Sequence, residues 1–122
     1  MKETTRARVV AVVSAVYLRE DITSVYDNSI SDHREIIASA ANDEVAGYDH
    51  STESHFTGID DANKGSLDFF DYHNAKYVHL KLNGSSFDGY DYDTEKHFTG
   101  IIEARIVSLY DYETEEYYDY SV

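Results

Sequence analysis

From about Glu44 to Val122 apolar and polar residues alternate with a period of two. In the last stretch one set holds Val107, Leu109, Tyr118, Tyr120 and Val122, and the other holds Ser108, Tyr110, Tyr112, Tyr117, Asp119 and Ser121. Residues 67–82 sort the same way: Leu67, Phe69, Val78, Leu80 and Leu82 oppose Phe70, Tyr72, Tyr77, His79 and Lys81. Alternation predicts strands buried on one face. The first set faces the core, and the second forms a tyrosine-rich, solvent-facing surface. Each unit reads as strand, four-residue turn, strand. In the last unit the turn is placed at 113–116, which sets Tyr112 opposite Tyr117 and Asp111 opposite Tyr118.

The units repeat. Residues 47–59 (GYDHSTESHFTGI) recur at 89–101 (GYDYDTEKHFTGI), with ten of thirteen positions identical and an offset of 42. The offset holds two periods of about 21 residues. An intermediate unit surrounds Phe70-Asp71-Tyr72, and a last one runs from Leu109 to Tyr118. Tyr26-Asp27, 22 residues before Asp49, reads as a degenerate first unit.

Asp49, Asp71, Asp91 and Asp111 fall on the core face beside the turns. A bare carboxylate there is costly, so each is expected to cap its turn by accepting backbone N–H groups. The Asp-x-x-Thr spacing at 49–52, 91–94 and 111–114 supports this. Gly47 is expected opposite Gly58, and Gly89 opposite Gly100, leaving flat spots for something to pack against. Short polar connectors at 60–64, 83–85 and 103–105 suit a meander.

The first 43 residues lack a clear repeat. In Arg6–Leu18 one side of a helical wheel carries Val9, Val10, Val12, Val13, Val16 and Tyr17, and Thr4 or Thr5 is placed to cap a helix. The many valines pull toward a strand; the balance favours a helix. Asp32–Ala41 predicts a second helix, with a capping box from Asp32 to Glu35 ahead of Ile36, Ile37, Ala40 and Ala41. The expected fold class is therefore α+β and β-rich. It is a single domain over 1–122, in which about four tandem hairpins (44–122) form a meander and an N-terminal helical segment (1–43) packs on the sheet. The alternative is an all-β fold whose sheet curls on itself.

Charge narrows the partners. The chain has 122 residues and a formal net charge of −14. That field repels phosphates and anionic lipid, so direct nucleic-acid binding and membrane partnership are not expected; a basic protein, or the protein itself as a homo-oligomer, is. The absence of cysteine excludes disulfides and thiolate chemistry and suits a reducing, cytoplasmic setting. Val9–Leu18 is shorter than the roughly 20 residues a bilayer span needs. Glu3 ahead of it and Arg19-Glu20-Asp21 behind it do not fit a leader, so the segment reads as part of the fold.

The closing stretch SLYDYETEEYYDYSV resembles uncharacterised bacterial proteins that carry tandem Tyr-Asp-Tyr hairpins, over about two-thirds of the chain. That resemblance implies the hairpin architecture and no activity. In kind the units also resemble the Tyr-Asp repeats of RHS-type shells and the aromatic hairpins of choline-binding modules. This chain has neither the Gly-Arg that follows Tyr-Asp in the former nor the tryptophans of the latter.

Three constellations could carry chemistry. Asp91-x-Asp93-x-Glu95 and Asp111-x-Glu113-x-Glu115 offer oxygen ligands, but without the central Gly and distant Glu of an EF-hand loop. His50, His55, His79 and His97 share the outer face. The tyrosines form the third: Tyr48, Tyr90 and Tyr110 occupy equivalent positions, as do Tyr72, Tyr92 and Tyr112. These six are the candidate binding residues. Rings of this kind stabilise a sheet by about 0.2–1 kcal/mol per pair and also suit a cation held near carboxylates or a protein partner. With no nucleophile or phosphate-loop motif in the chain, the expectation is a non-enzymatic binding or interaction module without a cofactor or resident metal. The alternatives are a structural, self-assembling protein and, third, a metal-binding protein using the acidic turns or histidines.

Overall fold

The computed structural model describes residues 1–61 and 64–122. One helix, α1 (Glu3–Leu18), precedes eleven strands. They are β1 (Val25–Asp27), β2 (Asp32–Arg34), β3 (Ile36–Ala41), β4 (Glu44–Asp49), β5 (Ser54–Asp61), β6 (Ser66–Asp71), β7 (Lys76–Asn83), β8 (Ser86–Asp91), β9 (Lys96–Glu103), β10 (Ile106–Asp111) and β11 (Glu116–Ser121). All pair antiparallel in one sheet, in the order β2-β1-β11-β10-β9-β8-β7-β6-β5-β4-β3. The expected β-rich α+β class is what the chain adopts.

The sheet also curls on itself. Its two outermost strands, β2 and β3, are separated only by Glu35. Val25 pairs with Arg34, and Ile22 bridges Ala38, so three steps on one strand meet four on the other. That mismatch is a β-bulge, which bends a strand and increases its twist. β2 and β3 are thus two halves of one bulged strand, the first paired with β1 and the second with β4. Because β1 also pairs with β11, the meander closes into a barrel-like cylinder. Five hairpins make the wall, the first being the one headed by Tyr26-Asp27.

The predicted second helix at Asp32–Ala41 is therefore corrected to this bulged strand. Its inward side chains alternate as a strand requires, with Ile36 and Ala38 buried and Ile37 exposed. The capping-box pattern is present but unused, since Asp32 accepts a hydrogen bond from the adjacent His33 N–H. Pairing both β1 and β4 removes two open sheet edges, which outweighs a modest helix preference.

α1 runs inside the cylinder. Every residue from Thr5 to Ala15 is buried, whereas a helix lying on an open sheet would keep a solvent stripe. Enclosure also settles the conflict between valine content and helix. A strand in the lumen would leave its N–H and C=O groups unpaired, while a helix pairs them within itself. Alanine and valine keep the helix slender. The expected Thr4 or Thr5 cap is not made: Lys2 is the N-cap and donates no side-chain cap bond.

The turns begin one residue earlier than the pattern indicated. Tyr112–Glu115 form the last one, so Asp111 pairs with Glu116, Tyr110 with Tyr117 and Leu109 with Tyr118. Relative to the expectation this register slips by two. A slip of two preserves every side chain's face, so Val107, Leu109 and Tyr120 are buried as the alternation requires. Glycines do not face glycines either. Gly47 lies opposite Phe56, Gly89 opposite Phe98 and Gly100 opposite Phe87. A Cβ on Gly89 would meet the Phe98 ring at 2.5 Å, and one on Gly100 the Phe87 ring at 2.2 Å. The flat spots thus hold phenylalanines from the neighbouring strands.

Two-residue loops join β7 to β8 (Gly84-Ser85) and β9 to β10 (Ala104-Arg105). The predicted connector at 60–64 lies partly outside the described residues; Asp60 and Asp61 belong to β5.

Candidate functional site

Each hairpin places an aspartate and an aromatic residue side by side at its turn and sends them to opposite faces. The inward residues are Asp27, Asp49, Asp71, Asp91 and Asp111, each the last residue of its strand and at most 1% exposed. In all five, Oδ1 accepts the backbone N–H two residues on: Ser29 (3.0 Å), Ser51 (3.0 Å), His73 (2.9 Å), Asp93 (3.0 Å) and Glu113 (3.0 Å). This is an Asx-turn repeated around one end of the cylinder. The threonine suggested by the Asp-x-x-Thr spacing reaches its aspartate at one place, Thr94 Oγ1 to Asp91 Oδ2 (3.0 Å). Thr52 instead accepts from Arg8 Nη2 (2.9 Å), and Tyr118 donates to Thr114.

The second carboxylate oxygens reach cations. Arg8 Nε donates to Asp49 Oδ2 (3.0 Å) and its Nη1 to Asp71 Oδ2. Arg6 Nη1 donates to Asp111 Oδ2 (3.1 Å), which also lies 3.1 Å from the Met1 amino group. Arg34 Nε donates to Asp27 Oδ2 (2.9 Å). Arg6 and Arg8 sit at the start of α1, where the positive end of the helix dipole adds to their charge. The alternation located the inward carboxylates but not these partners. The available signal was two arginines immediately before an apolar run.

Asp91 differs from its equivalents, because no guanidinium reaches it among the described residues. Burial pushes its carboxyl above the ordinary range, and the bonds from Asp93 N–H and Thr94 only partly offset this. At Asp27 burial also acts upward, but hydrogen bonds from Ser29 and Arg34, with the Arg34 charge, overcome it and hold the carboxyl below its ordinary value.

The outer face carries the aromatics in clusters. Tyr48 contacts His50 and His55, with ring centroids at 4.9 and 4.7 Å. Phe70 contacts Tyr72 and Tyr77, both at 4.9 Å. Tyr90 contacts Tyr92 and His97 at 4.8 Å, and Tyr110 contacts Tyr112 at 4.8 Å and Tyr117 at 4.7 Å. A pair, Tyr26–His33 at 4.9 Å, completes the series. Most are edge-on or tilted contacts, the favoured arrangement for ring quadrupoles. The contacts stay within hairpins, so the surface is a row of separate clusters. In each, the strand ring is half-buried and the turn ring is exposed: Tyr48, Tyr90 and Tyr110 form the base, and Tyr72, Tyr92 and Tyr112 stand out.

The outer face is not uniform. Beyond the aromatic clusters the facing pairs are Asp68–His79, Asp88–Thr99 and Ser108–Asp119, but in the second hairpin they are Ala46–Thr57. The small pair leaves a hollow of about 910 Å³ across β4 to β7. Its walls include Phe70, Tyr72 and Tyr77 on one side and Ile59, 70% exposed, on the other. Glu44, Asp61 and Asp68 border it.

The acidic turns do not converge as ligand sets. Asp91 and Asp111 point inward, while Asp93 lies 3.4 Å from Lys2 Nζ. Among the described residues no group of three or more His, Asp or Glu side chains is arranged to hold a metal ion. His79 Nδ1 is 2.7 Å from Asp68 Oδ1. No helix among the described residues is long and apolar enough to cross a membrane, and the outward strand positions carry Asp68, Lys81, Asp88 and Asp119. No protein-family model, curated protein or solved structure matches the chain.

Proposed function

We propose that this protein is a non-enzymatic interaction module that uses its outer aromatic, acidic face to bind a basic protein partner. The observation behind this reading is the division of each hairpin. The inward aspartates have their oxygens committed to turns, to the helix and, at Asp27, to Arg34 of β2, while the outward turn tyrosines Tyr72, Tyr92 and Tyr112 are each at least half exposed. Exposed tyrosine is a favoured interface residue because it brings large area at little entropic cost. Charge supports the same partner. Arg6 and Arg8 are buried together with the five inward aspartates, and the remaining eight Lys and Arg residues stand against nineteen Asp and Glu, a strong excess of carboxylates.

Binding to an array of immobilised peptides that varies basic and apolar content independently tests this reading. Recognition should require both components and should be lost in a Tyr72→Ser, Tyr92→Ser, Tyr112→Ser triple variant. Binding by charge alone that survives in that variant would refute it.

A second reading, self-assembly, draws on Ile101 and Ile106, which are exposed on the neighbouring strands β9 and β10. It predicts a concentration-dependent oligomer in light scattering that Ile106→Ser removes; a strict monomer at high concentration would dismiss it.

A further inference from the structure

Resting on the interaction-module reading, we infer that the hollow across β4 to β7 is the primary docking site, and that its occupant is an extended basic segment of a partner protein whose Arg or Lys side chain lies over Ala46 and Thr57. The four hairpins from β4 to β11 share one plan, yet the β4–β5 hairpin alone has no carboxylate in this pair: Ala46–Thr57 stands where the others set Asp68–His79, Asp88–Thr99 and Ser108–Asp119. The space so made, about 910 Å³, exceeds a single side chain and suits a few residues of extended chain.

The lining matches a long cationic side chain in three ways. The floor of Ala46, Thr57 and Gly58 accepts an apolar stem. Tyr77 and Tyr72 present ring surface to a cationic head, an attraction that grows as water is excluded. Glu44, Asp61 and Asp68 border the space against one cation, Lys64. Of these carboxylates, Asp61 faces Lys64 at 4.0 Å and Asp68 holds His79, while Glu44 has no ion-pair partner among the described residues. Ile59, 70% exposed at the far wall, supplies an apolar contact for a neighbouring residue of the same segment. A second copy of this chain is a poor occupant, because each copy carries a net charge of −14.

The test uses the full chain and a labelled synthetic peptide of alternating Arg and Leu, followed by amide NMR at physiological ionic strength. Saturable shifts confined to β4–β7 and the 72–75 turn are expected. Ile59→Ser and Tyr77→Ser should each weaken binding by about tenfold or more, with Tyr117→Ser leaving it unchanged. All three side chains point outward, and the same spectra report whether each variant is folded. Shifts centred on Tyr110 and Tyr117, with Ile59→Ser silent, would overturn the inference while leaving the interaction-module reading intact. Shifts spread over all carboxylates and erased equally by salt in every variant, or no binding at all, would overturn both. Free arginine producing the same saturable shifts as the peptide would assign the hollow to a small cation and overturn the protein-segment occupant.

Discussion

The two faces of one hairpin turn, separated by a single residue, make opposite use of polar chemistry. On the inner face Asp71 bonds the His73 N–H through one oxygen and both Arg8 and Asn74 through the other. On the outer face the adjacent Tyr72 touches Phe70 and is otherwise exposed. Both oxygens of the inner residue are bonded within the fold, while the outer ring makes one aromatic contact and leaves most of its surface free. On the proposed function, folding and recognition would occupy alternate positions along the chain, and the period of two would keep them apart.

The largest expected effect breaks the inner side. Arg8→Leu leaves Asp49 and Asp71 buried without their cation, which should cost about 3–5 kcal/mol. Chemical denaturation reads this directly, and a loss below about 1 kcal/mol would mean that the carboxylates find water or another partner.

Next comes steric crowding at the aromatic-covered glycines. Gly100→Ala places a methyl against the Phe87 ring and the Ser108 carbonyl, and should cost about 1–3 kcal/mol by overpacking. The companion variant Gly100→Ala with Phe87→Leu should recover part of that loss in the same denaturation experiment.

Within the inner ring, Asp27 and Asp91 should respond to pH with opposite signs. Asp27 is depressed in the folded state, so its ionised form stabilises the protein above its ordinary value of 3.8, and that contribution is lost as pH falls through the lower folded value. Asp91 is raised, so its ionisation costs stability at neutral pH, and protonation relieves the cost as pH falls toward 3.8. Asp27→Asn should accordingly destabilise at pH 7. Asp91→Asn should match or exceed the wild type there, with any advantage shrinking on acidification. Melting curves across pH 3–7 for the two variants check both signs.

The smallest structural effect lies outside. Tyr92→Ser removes one exposed ring contact and should cost no more than about 1 kcal/mol, measured by the same melts.

Much of this division is legible in the sequence because strand alternation is a local signal. It assigned Leu109 and Tyr120 inward and Tyr110 and Tyr117 outward without knowledge of pairing. Register was less accessible: moving the turn by one residue keeps every face and leaves composition unaffected, and the choice depends on where Asp111 finds the Glu113 N–H. Asp32–Ala41 misled because a capping-box pattern ahead of Ile-Ile-Ala is a helix signal, overridden by a non-local demand, closure between β1 and β4. The burial of α1 on all sides was written in the lack of charged residues from Val9 to Ala15, but the lumen that receives it exists only once β11 meets β1. The outer clusters were foreseeable as equivalent tyrosines. The hollow at Ala46 and Thr57 required the register.

The most direct test pairs two neighbouring substitutions, Asp71→Asn and Tyr72→Ser, with melting temperature and affinity for the Arg-Leu peptide measured on the same samples. Asp71→Asn should lower the melting temperature and leave the affinity of the folded protein unchanged, while Tyr72→Ser should leave the melting temperature nearly unchanged and weaken the affinity. If Asp71→Asn weakens peptide binding while the protein stays equally stable, or Tyr72→Ser unfolds the barrel without touching affinity, the separation of folding and recognition across the sheet is contradicted.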